Sequence, residues 1–256
     1  MKKLSCCLVI ALVLCAGTVL PTTEISIAAA ADLQFVMPEL AKQFENQTGN
    51  KVKVSFGSSG NFASQIQNGA PFDLFFSADL SYPRRLDAAG FIAPGTIYHY
   101  ANGKIVLWAL KSSTVDIGRG LSVLADGNIH KIAIANPEHA PYGVAAVAAM
   151  KYENIYSRIQ GKLVLAENIS QAAQFVDSGS AEAGIVALSL VVAPTVRDKG
   201  NYFAIPENEY LPIEQGLAIL KSSQHKHTAE QFVEFIKTPQ AMALLRQFGF
   251  AMPNAK

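Results

Sequence analysis

Apolar and polar positions follow a regular order along the chain. Over 24–30, Ile25 and Ile27 followed by alanines read as a short buried strand. Leu33, Val36, Leu40 and Phe44 then share one helical face that closes at Gly49. Pro38 lies inside that stretch and removes one backbone bond, so the helix either kinks there or begins its regular part near Met37. Val52, Val54 and Phe56 alternate with Lys51, Lys53 and Ser55, the signature of a half-buried strand. Phe62 and Ile66 stand one helical turn apart, and Gly69 supplies the stop. A continuous apolar strand follows over 73–77, then a helix over 79–89 that ends at Gly90. Strand and helix alternate three times, as in a parallel sheet with helices on both faces.

A second block repeats the alternation. The pattern predicts a strand over 104–110, entered through Asn102-Gly103, and then a strand over 132–135 and a helix over 142–156. A strand over 163–165, a helix over 170–178 and strands over 184–187 and 202–205 follow. Pro206, Pro212 and acidic residues mark a crossing segment before a strand over 213–220. Phe232, Val233 and Ile236 lie on an amphipathic helix, and Pro239 opens a last helix carrying Met242, Leu245 and Phe248. This layout predicts an α/β protein of two lobes, the second inserted into the first. Lobe 1 would hold residues 24–103 plus 213–256, and lobe 2 residues 104–212. Ligands in open α/β sheets sit at the carboxyl ends of strands, so the site is expected in the cleft between the lobes.

Composition narrows the function classes. Lys2 and Lys3 precede the apolar run from Leu8 to Leu14, with small residues at Ala16 and Gly17. Residues 1–23 therefore read as a signal peptide and leader, too short for a permanent anchor. Leu14 stands where a lipoprotein signal needs a small residue ahead of Cys15, which disfavours lipid anchoring. All three cysteines (Cys6, Cys7 and Cys15) fall in this segment, leaving the mature chain without disulfides or thiolate chemistry. About 235 mature residues suffice for a core that needs no staples. The net charge is +1 and half the residues are hydrophobic, with no basic stripe for nucleic acid.

The candidate chemistry lies in four strand-to-helix turns: Ala30-Ala31-Asp32, Ser58-Ser59, Ala140-Pro141-Tyr142-Gly143 and Asn168-Ile169-Ser170. Each presents free N–H groups at the positive end of a helix, which suits an anion. One such turn is an ordinary N-cap; four of them, two from each lobe, point to an oxyanion site. Competing readings are weaker. Ser59, His139 and Asp73 supply the residue types of a hydrolase triad, but the turn reads Gly57-Ser58-Ser59-Gly60 and lacks the Gly-x-Ser-x-Gly elbow. His139 reads as a loop residue with a satisfied ring nitrogen, and Asp73 as a structural acceptor of loop amides. His225 and His227 have no partner at helical ligand spacing for a metal, and Tyr142, Tyr152 and Tyr156 share one helix rather than clustering as an iron site. Arg84, Arg85 and Arg119 lie outside the four turns, so no bidentate partner for an organic carboxylate stands out.

Several stretches resemble a known family. These are 28–33 (Ala-Ala-Ala-Ala-Asp-Leu), 56–60 (Phe-Gly-Ser-Ser-Gly), 69–79 (Gly-Ala-Pro-Phe-Asp-Leu-Phe-Phe-Ser-Ala-Asp), 135–143 (Ala-Asn-Pro-Glu-His-Ala-Pro-Tyr-Gly) and 184–186 (Gly-Ile-Val). In this order and spacing they resemble the periplasmic molybdate-binding proteins of ABC importers, over nearly the whole mature chain through 247–250. The resemblance implies a two-lobed periplasmic binding protein of type II, each lobe a mostly parallel sheet flanked by helices. It implies capture of molybdate or tungstate, no catalysis and no cofactor, a periplasmic monomer, and delivery to a membrane permease. Sulfate, phosphate or a small organic anion remains the alternative ligand. Carried over by position, the oxyanion contacts fall on Ala31, Asp32, Ser59, Tyr142 and Ile169, with Ser58 and Ala187 as additional candidates and no direct metal ligands. Ser59 would donate its hydroxyl and N–H; the others would mainly offer backbone N–H groups. The chain departs from the family at two positions. Asp32 stands where many members carry a hydroxyl or amide, and is expected to cap the first helix with its carboxylate turned away from the ligand. Ala187 stands where the family has a tyrosine, so a phenolic donor is missing, with Ser189 nearby.

Overall fold

A computed structural model describes residues 22–253. The apolar leader and the three cysteines lie outside the described residues, and among those described no helix is long and apolar enough to cross a membrane.

The chain opens with β1 (Glu24–Ala30), whose Ile25 and Ile27 are fully buried, as the pattern predicts. A short 3-10 turn, Ala31–Leu33, leads into α1 (Val36–Thr48). Pro38 falls within the first turn of α1, where its missing N–H costs nothing, and Gly49 closes the helix at φ 76°. There follow β2 (Lys51–Gly57), α2 (Ser59–Gln67), β3 (Leu74–Ser77), α3 (Ser81–Ala88) and β4 (Tyr98–Gly103). The chain then crosses into a second set: β5 (Ile105–Leu110), β6 (Ile132–Ala135), α4 (Pro141–Tyr152), α5 (Tyr156–Ile159), β7 (Leu163–Ala166), α6 (Ile169–Asp177), β8 (Ala183–Ala187), α7 (Leu188–Val191) and β9 (Gly200–Ala204). It returns through Pro206–Pro212 to β10 (Ile213–Ile219), α8 (Lys226–Ile236) and α9 (Pro239–Gln247).

Two five-stranded sheets result, in the order β2-β1-β3-β10-β4 and β7-β6-β8-β5-β9. The two orders match strand for strand. In each sheet three parallel strands are followed by one antiparallel strand, β10 or β5, which pairs antiparallel again with the last strand. Four of the five strands in each sheet therefore run the same way. Those strands end facing the other lobe, which brings the turns after β1, β2, β6 and β7 toward one another.

Each lobe has its own core. In the first, Phe44 and Phe76 pack edge-on against Phe232, Phe44 and Phe232 with ring centres 5.0 Å apart, and Tyr100 lies tilted against Phe76. In the second, Trp108, Met150, Ile134 and Ile185 are buried, and a side chain at Gly200 would stand 2.3 Å from the Trp108 indole nitrogen. The predicted helix over 142–156 is interrupted: Asn154 takes φ 57°, so α4 ends at Tyr152 and α5 restarts at Tyr156. The sequence reading also passed over β4 and the single turn α7.

Candidate functional site

The four turns meet in one interlobe cleft lined by Ala30, Ala31, Asp32, Gly57, Ser58, Ser59, Ala78, Ala140, Pro141, Tyr142 and Ile169. The cleft is small, with about 190 Å³ of space between its walls, part of it open to solvent. Its lining contains no Lys or Arg.

Local structure explains which donors face it. Ser58 caps α2, its Oγ accepting from the Asn61 N–H at 3.4 Å, while the Gly60 N–H donates across the lobes to the His139 carbonyl at 2.9 Å. Ser59 N–H is thereby the free donor at this helix start. In α4, Pro141 has no N–H and Gly143 donates to the Ala140 carbonyl, which leaves Tyr142 N–H. In α6, Asn168 caps Gln171 at 3.0 Å and its carbonyl takes the Ala172 N–H, which leaves Ile169 N–H in the cleft wall. Ser59, Tyr142 and Ile169 are thus without backbone acceptors among the described residues. The Ser59 Oγ accepts from the buried Ala78 N–H at 2.9 Å, which fixes the oxygen and leaves its proton to be donated.

The lobes are clasped around this cleft. His139 Nδ1 and Ser58 Oγ share a hydrogen bond at 3.0 Å, Ser170 Oγ donates to Gln34 Oε1, and Asn61 Nδ2 reaches Glu167 at 3.5 Å. A Cβ on Gly60 would fall 2.7 Å from the His139 carbonyl oxygen, so glycine here permits a close backbone approach between the lobes.

Asp32 behaves differently from expectation. It does not cap the first helix: Ala30 holds the cap position without a side-chain bond, and the Asp32 carboxyl points into a buried network. Its Oδ2 accepts from the Tyr142 hydroxyl at 2.8 Å and from Gln215 Nε2 on β10. Gln215 Nε2 also lies 3.0 Å from the Tyr142 oxygen, and Gln215 Oε1 accepts from the Tyr100 hydroxyl. The network fits because residue 103 is glycine; a Cβ there would stand 2.1 Å from the Tyr142 oxygen. Burial pushes the Asp32 carboxyl up to about 6, against the pull of the Gln215 and Tyr142 donors and the nearby backbone amides. Burial, and then the Asp32 charge, holds both Tyr100 and Tyr142 well above the usual phenol range. Tyr142 therefore brings a side chain to the site as well as the backbone N–H expected of it.

The remaining candidates separate. Ala187, the last residue of β8, pairs with Ile105 and is fully buried, and it is not part of the cleft lining. Ser189, two residues on, donates its hydroxyl to the Asp32 carbonyl at 2.8 Å and so braces the first turn from the second lobe. The residues of the supposed triad are dispersed. Ser59 is bonded to Ala78, His139 to Ser58, and Asp73 accepts from Ser26 N–H at 2.8 Å and Ser223 Oγ at 2.6 Å. Sequence reasoning missed Gln215 and Tyr100, which carry no local motif and reach the site only through the sheet.

Comparison with known proteins agrees with this geometry. Residues 25–251 match the family described as bacterial extracellular solute-binding protein. The molybdate-binding protein of Rhodobacter capsulatus is 37% identical over 242 residues, 94% of each chain. That of Azotobacter vinelandii is 39% identical over 229 residues, 90% of each chain. The solved Azotobacter vinelandii periplasmic molybdate-binding protein superposes with a TM-score of 0.85 at 38% identity, covering 90% of this chain and all of that one. With the two-lobed fold, the clasped cleft and near-full-length kinship to these binding proteins, the chain belongs to the bacterial extracellular solute-binding protein family.

Proposed function

We propose that this chain captures molybdate or tungstate in the interlobe cleft and delivers it to the membrane permease of an ABC importer, without chemical change to the anion. The observation that carries this is the convergence of four strand-to-helix turns, drawn from both lobes, on a small cleft without cations. Neutral dipoles suit the task. They replace the hydration of a tetrahedral dianion, and no ion pair has to be broken on release. Ser59 supplies its hydroxyl and N–H, and Ala31, Asp32, Tyr142 and Ile169 supply backbone N–H groups. Ser58, already bonded to Asn61 and His139, serves mainly to hold the lobes together. Lobe 1 is assigned to 24–103 plus 213–256 and lobe 2 to 104–212, and ligand binding closes one on the other. The charged, then apolar, then small-residue pattern over 1–23 would export the protein to the periplasm, where it acts as a monomer.

The test is thermal unfolding of the mature protein with molybdate, tungstate, sulfate, phosphate or no anion. A ligand at about one hundred times its Kd adds roughly 2.7 kcal/mol to the folded state and raises the midpoint by several degrees. A rise with molybdate and tungstate but not sulfate is expected. A rise with sulfate or phosphate alone would replace the ligand while keeping the oxyanion site.

A further inference from the structure

Asp32 is the one acidic residue in the cleft lining. Its two oxygens are treated unequally. Oδ2 accepts from Tyr142 Oη and Gln215 Nε2, with the Asp32 and Leu33 amides nearby, while Oδ1 is buried with no hydrogen-bond partner among the described residues. An ionised carboxylate would leave Oδ1 as a buried, unpaired acceptor on a residue of the cleft wall, which is costly even without the anion. A proton on Oδ1 removes both problems: the group becomes neutral, and it gains a donor at the oxygen that has none.

Resting on the oxyanion reading above, we propose that Asp32 faces the bound anion as a neutral carboxylic acid, so that one proton from solvent enters the site with each oxyanion and leaves with it. The surroundings permit this. Tyr142 on α4 and Tyr100 on β4 are neutral phenols, Gln215 on β10 is uncharged, and Ser189 on α7 touches only the Asp32 carbonyl. Tyr210 lies near Tyr142, and His139, in the loop before α4, is bonded to Ser58. Among the described residues no cation pairs with Asp32 to hold it ionised. Burial already favours the acid form, and a dianion in the cleft strengthens that preference.

The experiment is isothermal titration of the mature protein with molybdate, in buffers of differing ionisation enthalpy, between about pH 6 and pH 8.5. The dependence of observed heat on buffer enthalpy counts protons taken up. The expected result is uptake approaching one proton per molybdate at the alkaline end. Affinity there should fall about tenfold per pH unit. Asp32→Asn should bind with no proton uptake and a flat pH profile. Infrared difference spectra of the wild type should show a protonated-carboxyl C=O band on binding, absent in the variant. Molybdate binding without proton uptake, or uptake that persists in Asp32→Asn, overturns the proposal and leaves the oxyanion reading standing. Absence of binding by molybdate and by tungstate at every pH removes that reading, and the proposal with it.

Discussion

Replacing Asp32 by Asn should stabilise the anion-free protein at neutral pH, and the gain follows from the carboxyl's surroundings. In the unfolded chain the carboxyl titrates near its ordinary value of 3.8; in the folded protein burial moves it up to about 6. A folded-state value above the unfolded one means that the native protein holds the proton more tightly. The associated stability is complete below about pH 3.8 and is lost as pH rises through about 6. At about 1.36 kcal/mol per pH unit, the gap amounts to about 3 kcal/mol at pH 7.5. The group is buried, so little of this is screened by solvent. Asn keeps the acceptor that Tyr142 and Gln215 bond to and cannot ionise, so the variant avoids the loss. The difference in unfolding free energy between variant and wild type should be small near pH 4 and grow to about 3 kcal/mol at neutral pH. For a chain of this size that is a midpoint shift of about 6–12 °C. Urea or thermal unfolding of both proteins across this pH range, without anion, measures it; other titrating groups cancel in the difference. A difference that does not change with pH, or a variant less stable at neutral pH, would refute the reasoning.

Two further substitutions test the cleft. Ser59→Ala removes a hydroxyl whose oxygen is fixed by the Ala78 N–H, and should weaken molybdate binding by roughly 1.5–3 kcal/mol, the worth of a hydrogen bond to a charged group. Unchanged affinity by calorimetry would take Ser59 out of the site. Gly60→Ala places a methyl 2.7 Å from the His139 carbonyl oxygen, a backbone atom that cannot swing aside, and so wedges the lobes apart. Molybdate affinity should fall by at least about tenfold, and small-angle scattering should show less compaction on adding anion; equal affinity and compaction would mean that the lobes do not close tightly here.

The order of strands and helices was legible because each buries a regular set of apolar positions. Ile25 with Ile27, the run at 73–77 and the spacing of Phe232, Val233 and Ile236 announce their elements locally. What escaped was held by distant partners. β4 reads Tyr-His-Tyr-Ala-Asn-Gly, with no clean alternation, and becomes a strand by pairing with β10 more than a hundred residues later. The over-long helix at 142–156 fails at Asn154, a residue able to take φ 57°, and the apolar pattern on either side of it gives no warning.

The same division runs through the site. Helix starts are local, so Ser59, Tyr142 and Ile169 could be named from the turns that contain them. The charge state of Asp32 is not local. Its partners Tyr142 and Gln215 lie 110 and 183 residues away, and Gly103, which makes room for both, has no reason in the sequence to be linked to them. A sequence reading that knows only that Asp32 opens a helix expects a capping carboxylate, because exposed caps are ionised and accept from N–H groups. Burial alters the balance. With the Tyr142 and Gln215 donors on one oxygen and no partner on the other to offset its lost hydration, burial shifts the carboxyl toward its acid form relative to an exposed cap. An acidic residue at an anion site is thus compatible with anion capture when the fold supplies a reason for it to be neutral. That reason lies in the contacts of β10 and α4 with the first turn, and not in the turn itself.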